Sequence, residues 1–545
     1  MKRIVLIFLV LIISSTLYSE QTVGLFYNTP QSFDGFTLFV PNTSDTTYLI
    51  DNCGEKVHFW ITNTTPGNTA YLLDNGVLLR TGKSLNPIFN SGGNGGLIQM
   101  IDWDSNLIWE YVISDSTQCQ HHDIEPLPNG NILALVWSLH TKEEALQAGR
   151  LISPNELWSE KVLEVKPDLV NGGGEIVWEW DTWDHLVQDN PELVENYGDV
   201  NNPRKININY STKGFSNKDW LHANSVDYNP RLDQILLSNH NFGEIFIIDH
   251  STTTAESKSD KGGKYGHGGD LLYRWGNPMS YGQGTVEDIK LFTQHDPHWI
   301  PDSLVDGGKI MIFNNNIGDT EKLEYSAIYI IDPVMDNLDN YELIEGKFGP
   351  VDPSWTYMGD PKTDFFSKNM SSAQRLPNGN TLICESWIGR FTEINSNKEQ
   401  VWKYVNPIGV NGLIINQGNA INGNISFRIE RYSKSHPAFT GRDLTPNGYI
   451  EAGSDFTCEL YDNKTSVDFE DNIVILINQY SDRVELESEE IIDRIEIFNS
   501  IGATIYDTTT KLQTKSINTI NFGTGVYFLK IYLNNKVSYR KIMIN

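Results

Sequence analysis

The chain of 545 residues carries 70 Asp and Glu against 41 Lys and Arg, a formal net charge of −29. Nucleic acid and anionic membrane surfaces repel such a polyanion, so these partners are excluded first. The length exceeds one ordinary core, and 44 Gly with 24 Tyr, 23 Phe and 14 Trp favour an all-β chain with glycine-rich turns, one large domain and a smaller one.

Residues 1–20 open with Lys2 and Arg3, continue through an apolar run from Ile4 to Ile13 and end among Ser14, Ser15 and Ser19. That order reads as a secretory signal peptide, outside the fold. No later stretch is apolar for long enough to span a bilayer. Cys53, Cys119, Cys384 and Cys458 lie far apart with no C-x-x-C pair. They suit disulfides in an oxidising compartment, in a pairing the sequence does not assign, and no metal site is expected of them.

From Asn68 the chain repeats itself. Asn68 to Tyr111, His122 to Trp180, Trp220 to His250 and beyond, His295 to Phe348 and Ser371 to Tyr404 each read as a hairpin turned at a glycine- or asparagine-rich corner. A strand ending near Ile-Asp follows, and then an outer strand that often carries Trp. Four strands per unit, repeated radially, is the pattern of a β-propeller. Two fragments remain: Phe36 to Trp60, like the second half of a unit, and Asn424 to Ser433, NISFRIERYS, which could supply inner strands. Joined in one blade they close a ring of six over residues 21–453, hiding sheet edges that would otherwise pair with other chains. The TGKS stretch at Thr81 to Ser84 stands at the wrong distance from Gly76 for a phosphate-binding loop and reads as a turn.

Past Gly453 the chain becomes acidic and irregular, a linker over 454–475, and short alternating strands then occupy 476–545, a unit of β-sandwich size. IDRIEIFNSIG, ending at Gly502, and TGVYFLKI at Thr524 to Ile531 resemble the C-terminal sorting domains of type IX secretion substrates, although the usual Asn-Pro near the start is absent. The resemblance implies export through the periplasm, with the secretion machinery as a partner, to a secreted or surface-attached location.

Superposing the units puts Asn68, His122, His222, His295 and Ser371 at the start of successive inner strands, on one rim. His240 closes the second strand of its hairpin and joins His222 and Asn224 there. Asp123 and Asp296 follow two of the histidines and should alternate to the opposite face, as orienting groups. Imidazoles gathered at a strand-end rim suit nucleophilic and acid–base chemistry, or alternatively zinc or another transition metal.

HHDIEPLPNGNIL, DWLHANSVDYNPRLDQILLS and FTQHDPHWI, in this order, resemble the bacterial arylsulfotransferase family over about Gly35 to Ala452. The resemblance implies a six-bladed propeller that needs no nucleotide sulfate donor and no cofactor. Such enzymes move a sulfuryl group from a phenolic sulfate ester to another phenol through a sulfated histidine. By motif His295 matches the nucleophile, His122 and His222 the other active-site histidines, and Asn224 an asparagine that contacts the sulfuryl group. The family's arginine falls near His240, so a titratable group stands in its place. His240 and Ser371 are then expected as further substrate-binding donors, His222 as the acid–base group, and Arg390 as a further cation whose plainer reading is a surface arginine. The alternatives on the same fold are a ligand-binding propeller without chemistry and a metal-dependent hydrolase or lyase.

Overall fold

The structure, a computed structural model, describes residues 21–318, 323–454, 457–461, 475–479, 483–499, 504–519, 522, 525–533 and 536–544. The signal peptide expected over 1–20 and most of the expected linker lie outside these residues. The chain divides into two units, Met1–Asn463 and Lys464–Asn545.

In the first unit six antiparallel sheets follow one another, each with one innermost strand. These innermost strands are β1 (Pro66–Leu72), β2 (Gln118–Pro126), β3 (Ala223–Asn229), β4 (His295–Trp299), β5 (Ser372–Arg375) and β6 (Ser426–Ser433). They touch in cyclic order, β1 to β2 and onward to β6, which returns to β1. The β6 sheet is composite: its other strands, Gly35–Pro41, Thr46–Ile50 and Lys56–Ile61, come from the N-terminal end, so the two leftover fragments do meet in one sheet. One strand was not legible in the sequence. Gly24–Asn28 adds itself outside the β5 sheet, pairing with Gln400–Val405, and so ties the N-terminal segment to a second sheet. The fourth strand of each of the six sheets, counted from the innermost, carries Trp: Trp60, Trp109, Trp178 with Trp180, Trp275, Trp355 and Trp402. Thr81–Lys83 of the TGKS stretch are strand residues paired with Gly96–Ile98, not a turn.

The run QILLS at Gln234 to Ser238 shows why these strands read as apolar without alternation. Ile235 and Leu237 pack against Leu133, Val162 and Trp178 of the β2 sheet, whereas Leu236 packs with Ile310 and Ile312 of the β4 sheet. Side chains of period two leave both faces of a sheet, and here both are covered by neighbours. At the composite sheet Arg431 and Glu393, both with fully buried side chains, form an ion pair between the β6 and β5 sheets. Cys53, in the turn between two strands of the composite sheet, is disulfide-bonded to Cys458, 405 residues later. Cys119 and Cys384 are free and buried.

In the second unit Ile475–Gln479, Arg483–Asn499, Thr504–Asn518, Gly525–Leu533 and Lys536–Ile544 form one five-stranded antiparallel sheet. Ile492, Ile495, Ile497, Leu529, Ile531 and Leu533 form its apolar cluster.

Candidate active site

The inner strands do not start as plain strands. On β2 the three residues His121, His122 and Asp123 stand opposite the single Leu135, and on β4 Asp296 and Pro297 stand opposite Ile312. On β6 Phe427 and Arg428 stand opposite Val40, and on β3 Asn224 is the extra residue. Bulges of this kind re-aim side chains that regular alternation would send to opposite faces. The backbone is left-handed at His122 (φ 50°), His222 (φ 51°), Thr293 (φ 55°), Asp296 (φ 55°) and Met370 (φ 56°). Non-glycine residues in that region carry strain of order 1–3 kcal/mol each, and strain gathered on one rim is a feature of functional sites.

The rim holds four imidazoles in an arc. Ring centroids lie 4.8 Å apart from His122 to His222, 5.3 Å from His222 to His240 and 5.5 Å from His240 to His295. Phe427 stands 6.2 Å from His122 and 6.3 Å from His295, closing the circuit. Among the described residues no group of three or more His, Cys, Asp or Glu side chains has the arrangement to hold a metal ion.

Each imidazole has its own partner. His295 Nδ1 lies 2.8 Å from Asn315 Oδ1 and 3.0 Å from the Thr293 carbonyl. The Asn315 amide nitrogen donates to the carbonyls of Ser367 and Met370, so its oxygen must face the histidine and Nδ1 must carry the proton. Nε2 is then the lone-pair nitrogen, and the Met370 N–H donates to it at 3.1 Å. Burial pushes His295 down to about 4, only partly opposed by Asn315, so the ring is neutral and nucleophilic near neutral pH. His222 Nδ1 meets Asp219 Oδ2 at 2.6 Å. Burial alone would lower its pKa, but the Asp219 carboxylate outweighs it and the pKa is raised. His222 is therefore the imidazole of the rim best disposed to carry charge.

His240 differs from expectation in its charge. Its Nδ1 faces Asn241 Oδ1 at 2.9 Å, and burial, then His222 and His295, push its pKa well below the ordinary value. It reaches the rim as a neutral group, not as a cation in the place of an arginine. Asn224 is fully buried and donates to the Gln294 carbonyl at 2.8 Å. Ser371 is turned inward: its hydroxyl donates to Ser367 Oγ at 2.8 Å and accepts from the Ser386 N–H at 3.1 Å, fixing the loop that carries Met370. Arg390 is held by Glu385 and by the Asp364 carbonyl, away from the four imidazoles.

Asp123 and Asp296 pair with an arginine and not with the rim histidines, although Asp296 Oδ2 also lies 3.7 Å from His298 Nδ1. Both bind Arg428 at 2.8 Å, one layer along the axis from the rim, with Tyr71 as a further partner of the guanidinium. They also accept the backbone N–H of the next sheet, Val226 for Asp123 and Ala373 for Asp296. Regular alternation hid this role, since the bulges turn both residues to the axis. Arg428 itself had a signal: FR in NISFRIERYS occupies the place of HD in the His122 and His295 units.

Two openings follow. One, about 580 Å³, lies over His222, His240, Asp219 and Asn241, with the exposed Lys213 at its edge. The other, about 330 Å³, lies along the axis past Arg428, among Glu125, Asp227, Asp296, His298 and Glu430. Burial raises Asp227 to about 6 and Asp296 and Glu430 to about 7. An anionic ligand is disfavoured among those carboxylates and favoured at the histidine mouth, beside His222 and Lys213.

The arylsulfotransferase (ASST) family profile matches residues 26–439. The chain belongs to the arylsulfotransferase family. A secretion system C-terminal sorting domain matches residues 478–545, which marks the chain for export to a secreted or cell-surface location. Among the described residues no helix is long and apolar enough to cross a membrane. No curated protein matches the sequence. Solved structures similar to the chain include a protein of unknown function from Bacteroides caccae, 12% identical with TM-score 0.38, covering 73% of this chain and 98% of that one. A putative 6-phosphogluconolactonase from Bacteroides fragilis is 11% identical with TM-score 0.33, covering 74% and 99%. The β-propeller domain of Cps50 from Myceliophteria thermophila is 10% identical with TM-score 0.32, covering 72% and 88%.

Proposed function

We propose that this arylsulfotransferase moves a sulfuryl group from a phenolic sulfate ester to a phenolic acceptor through His295, without a nucleotide donor. In this reading the six sheets are the blades of one closed propeller over residues 21–453. A signal peptide over 1–20 precedes it, and a linker over 454–475 and a small β-sandwich over 476–545 follow.

The observation that carries the reading is the setting of His295: Asn315 Oδ1 holds the proton on Nδ1, which leaves the lone pair on Nε2, where the Met370 N–H meets it, and burial keeps the ring neutral. Attack of Nε2 on sulfur forms the N–S bond and breaks the S–O bond to the phenol, dividing one hard transfer into two easier ones. The sulfuryl oxygens stay anionic throughout, and a charged His222, the second amide hydrogen of Asn224 and the imidazole of His122 offer donors around them. The Met370 N–H, already aimed at Nε2, is released by the attack and becomes a further donor beside the new bond. His240 contributes a neutral polar wall, and Lys213 at the mouth attracts the sulfate ester. Ser371 acts through the Ser367–Met370 loop and not on substrate.

The test is turnover of 4-nitrophenyl sulfate with and without a phenol. Release of nitrophenol that depends on added phenol, with ping-pong kinetics, supports the reading. Equal release without any acceptor points to a hydrolase, and tight binding without release points to a binding propeller.

A further inference from the structure

Behind His122 stands a line of groups that the mechanism above leaves unused. His122 Nδ1 lies 2.9 Å from His121 Nδ1, and His121 Nε2 lies 2.9 Å from Glu160 Oε2. Glu160 Oε1 accepts the Ala223 N–H at 2.8 Å. His121 is 0% exposed and Glu160 1%, and the Trp137 ring stacks on His121 at 4.0 Å with 4° between the planes. The inner groups are sealed, and His122 is the member that reaches the rim.

Two nitrogens facing each other can share only one hydrogen, so the line has two polarities. With Glu160 ionised, His121 donates from Nε2 to the carboxylate, His122 donates from Nδ1 to His121, and His122 Nε2 presents a lone pair. With Glu160 protonated, the carboxyl donates to His121 Nε2, His121 donates from Nδ1 to His122, and His122 Nε2 presents an N–H. The two states differ by one proton, which enters or leaves at His122 Nε2 while the charge appears or vanishes at Glu160.

We infer that Glu160 and His121 form with His122 a buried proton relay that protonates the departing phenol and takes the proton of the acceptor phenol. The inference rests on the sulfuryl-transfer reading. In the first half-reaction the S–O bond breaks and the phenolate takes the Nε2 proton of His122. The Nδ1 proton of His121 moves to His122, the Glu160 proton moves to His121, and Glu160 is left as the carboxylate. In the second half-reaction the acceptor phenol gives its proton to His122 Nε2, each transfer reverses, Glu160 becomes neutral, and the N–S bond of His295 breaks as the new S–O bond forms.

The surroundings suit the neutral resting acid. Burial pushes the Glu160 pKa well up, Asp219 and Asp181 push it further, and the Ala223 N–H and His222 oppose them. Around His121 stand Asp219, His222 and Asp123, and around His122 stand His222, His121, His295 and His240; burial is the leading cause that keeps both rings neutral. Glu160 and His121 act through His122 and are positioning residues in this scheme.

The test uses the full chain with Glu160→Gln. The amide oxygen must accept from Ala223, so the amide nitrogen faces His121 and fixes His122 as an N–H donor that cannot hand its proton on. Formation of the sulfated protein from 4-nitrophenyl sulfate, whose phenolate is stable, should stay within about threefold of wild type, whereas from phenyl sulfate it should slow by about 10²-fold or more. Equal losses on both esters, or none on either, overturn the relay. On the wild-type protein, infrared difference spectra taken as phenyl sulfate loads it should show loss of a protonated-carboxyl band. A spectrum without that loss overturns the relay even if Glu160→Gln does not fold. A wild-type protein that takes up no sulfuryl group from any aryl sulfate overturns the functional reading, and the relay with it. Loading with an unmoved carboxyl band overturns the relay alone.

Discussion

Changing Asp219 to Asn probes the charge that the site depends on. The Asp219 carboxylate meets His222 Nδ1 at 2.6 Å, and the Asp219 side chain is 8% exposed. A hydrogen bond to a charged group in such a place contributes about 1.5–3 kcal/mol, and its loss lowers the His222 pKa. The folded pKa of His222 is raised, so its charge is present at low pH and lost as pH rises through that pKa. D219N moves this loss to lower pH. Between the two pKa values kcat/KM for 4-nitrophenyl sulfate should fall by about 10- to 100-fold, and well below both it should match wild type. The assay is kcat/KM against pH for both proteins with phenol in excess. An alkaline limb at the same pH in both, or a loss of the same size at every pH, refutes the assignment of the rim's charge to His222.

His250 joins Asp233 at 2.7 Å and Glu164 of the neighbouring sheet at 3.1 Å, and these partners raise its pKa to about 9 against burial. Its contribution, on the order of 3 kcal/mol, is complete below about pH 6.5 and is lost as pH rises to about 9; the Tm of wild type should fall faster over that window than the Tm of H250Q, and parallel curves contradict the claim. The Cys53–Cys458 bridge closes a span of 405 residues, so replacing both by Ser should cost about 2–4 kcal/mol, read as a lower denaturation midpoint of the first unit. Gly93 has φ +83°, and a Cβ there would sit 2.0 Å from His122 Cε1, so G93A should displace that ring and lower kcat on the order of 10²-fold, with a lower Tm from the strain of a Cβ at positive φ. Unchanged kcat in G93A would place His122 outside the chemistry.

The histidines of the rim were legible because the repeat is local: a hairpin read from its turn residues places both of its ends, and His222 and His240 do meet through the His240 N–H and the His222 carbonyl. The partners of those histidines were not legible in the same way. Asp219 precedes its strand by a few residues, Asn315 follows the neighbouring strand, and Glu160 reaches His121 from a third strand, so each depends on side-chain direction across strands. Arg428, Asp123 and Asp296 depend on bulges, which residue alternation does not reveal. The neutrality of His240 was not legible either, because its sequence neighbours are polar and its burial among His222 and His295 depends on the fold. The added strand at Gly24–Asn28 is short, and nothing in its five residues names its partner.

The central claim is that His295 carries the sulfuryl group between donor and acceptor. The most direct measurement is the intact mass of the full chain after mixing with an aryl sulfate and no acceptor, followed by mapping of the modified residue at a pH that preserves a sulfated imidazole. Wild type should gain the mass of one SO₃ on His295 and lose it when phenol is added, and H295A should gain nothing and turn over nothing. An H295A protein that still transfers the group, or a wild-type adduct on any other residue, contradicts the account.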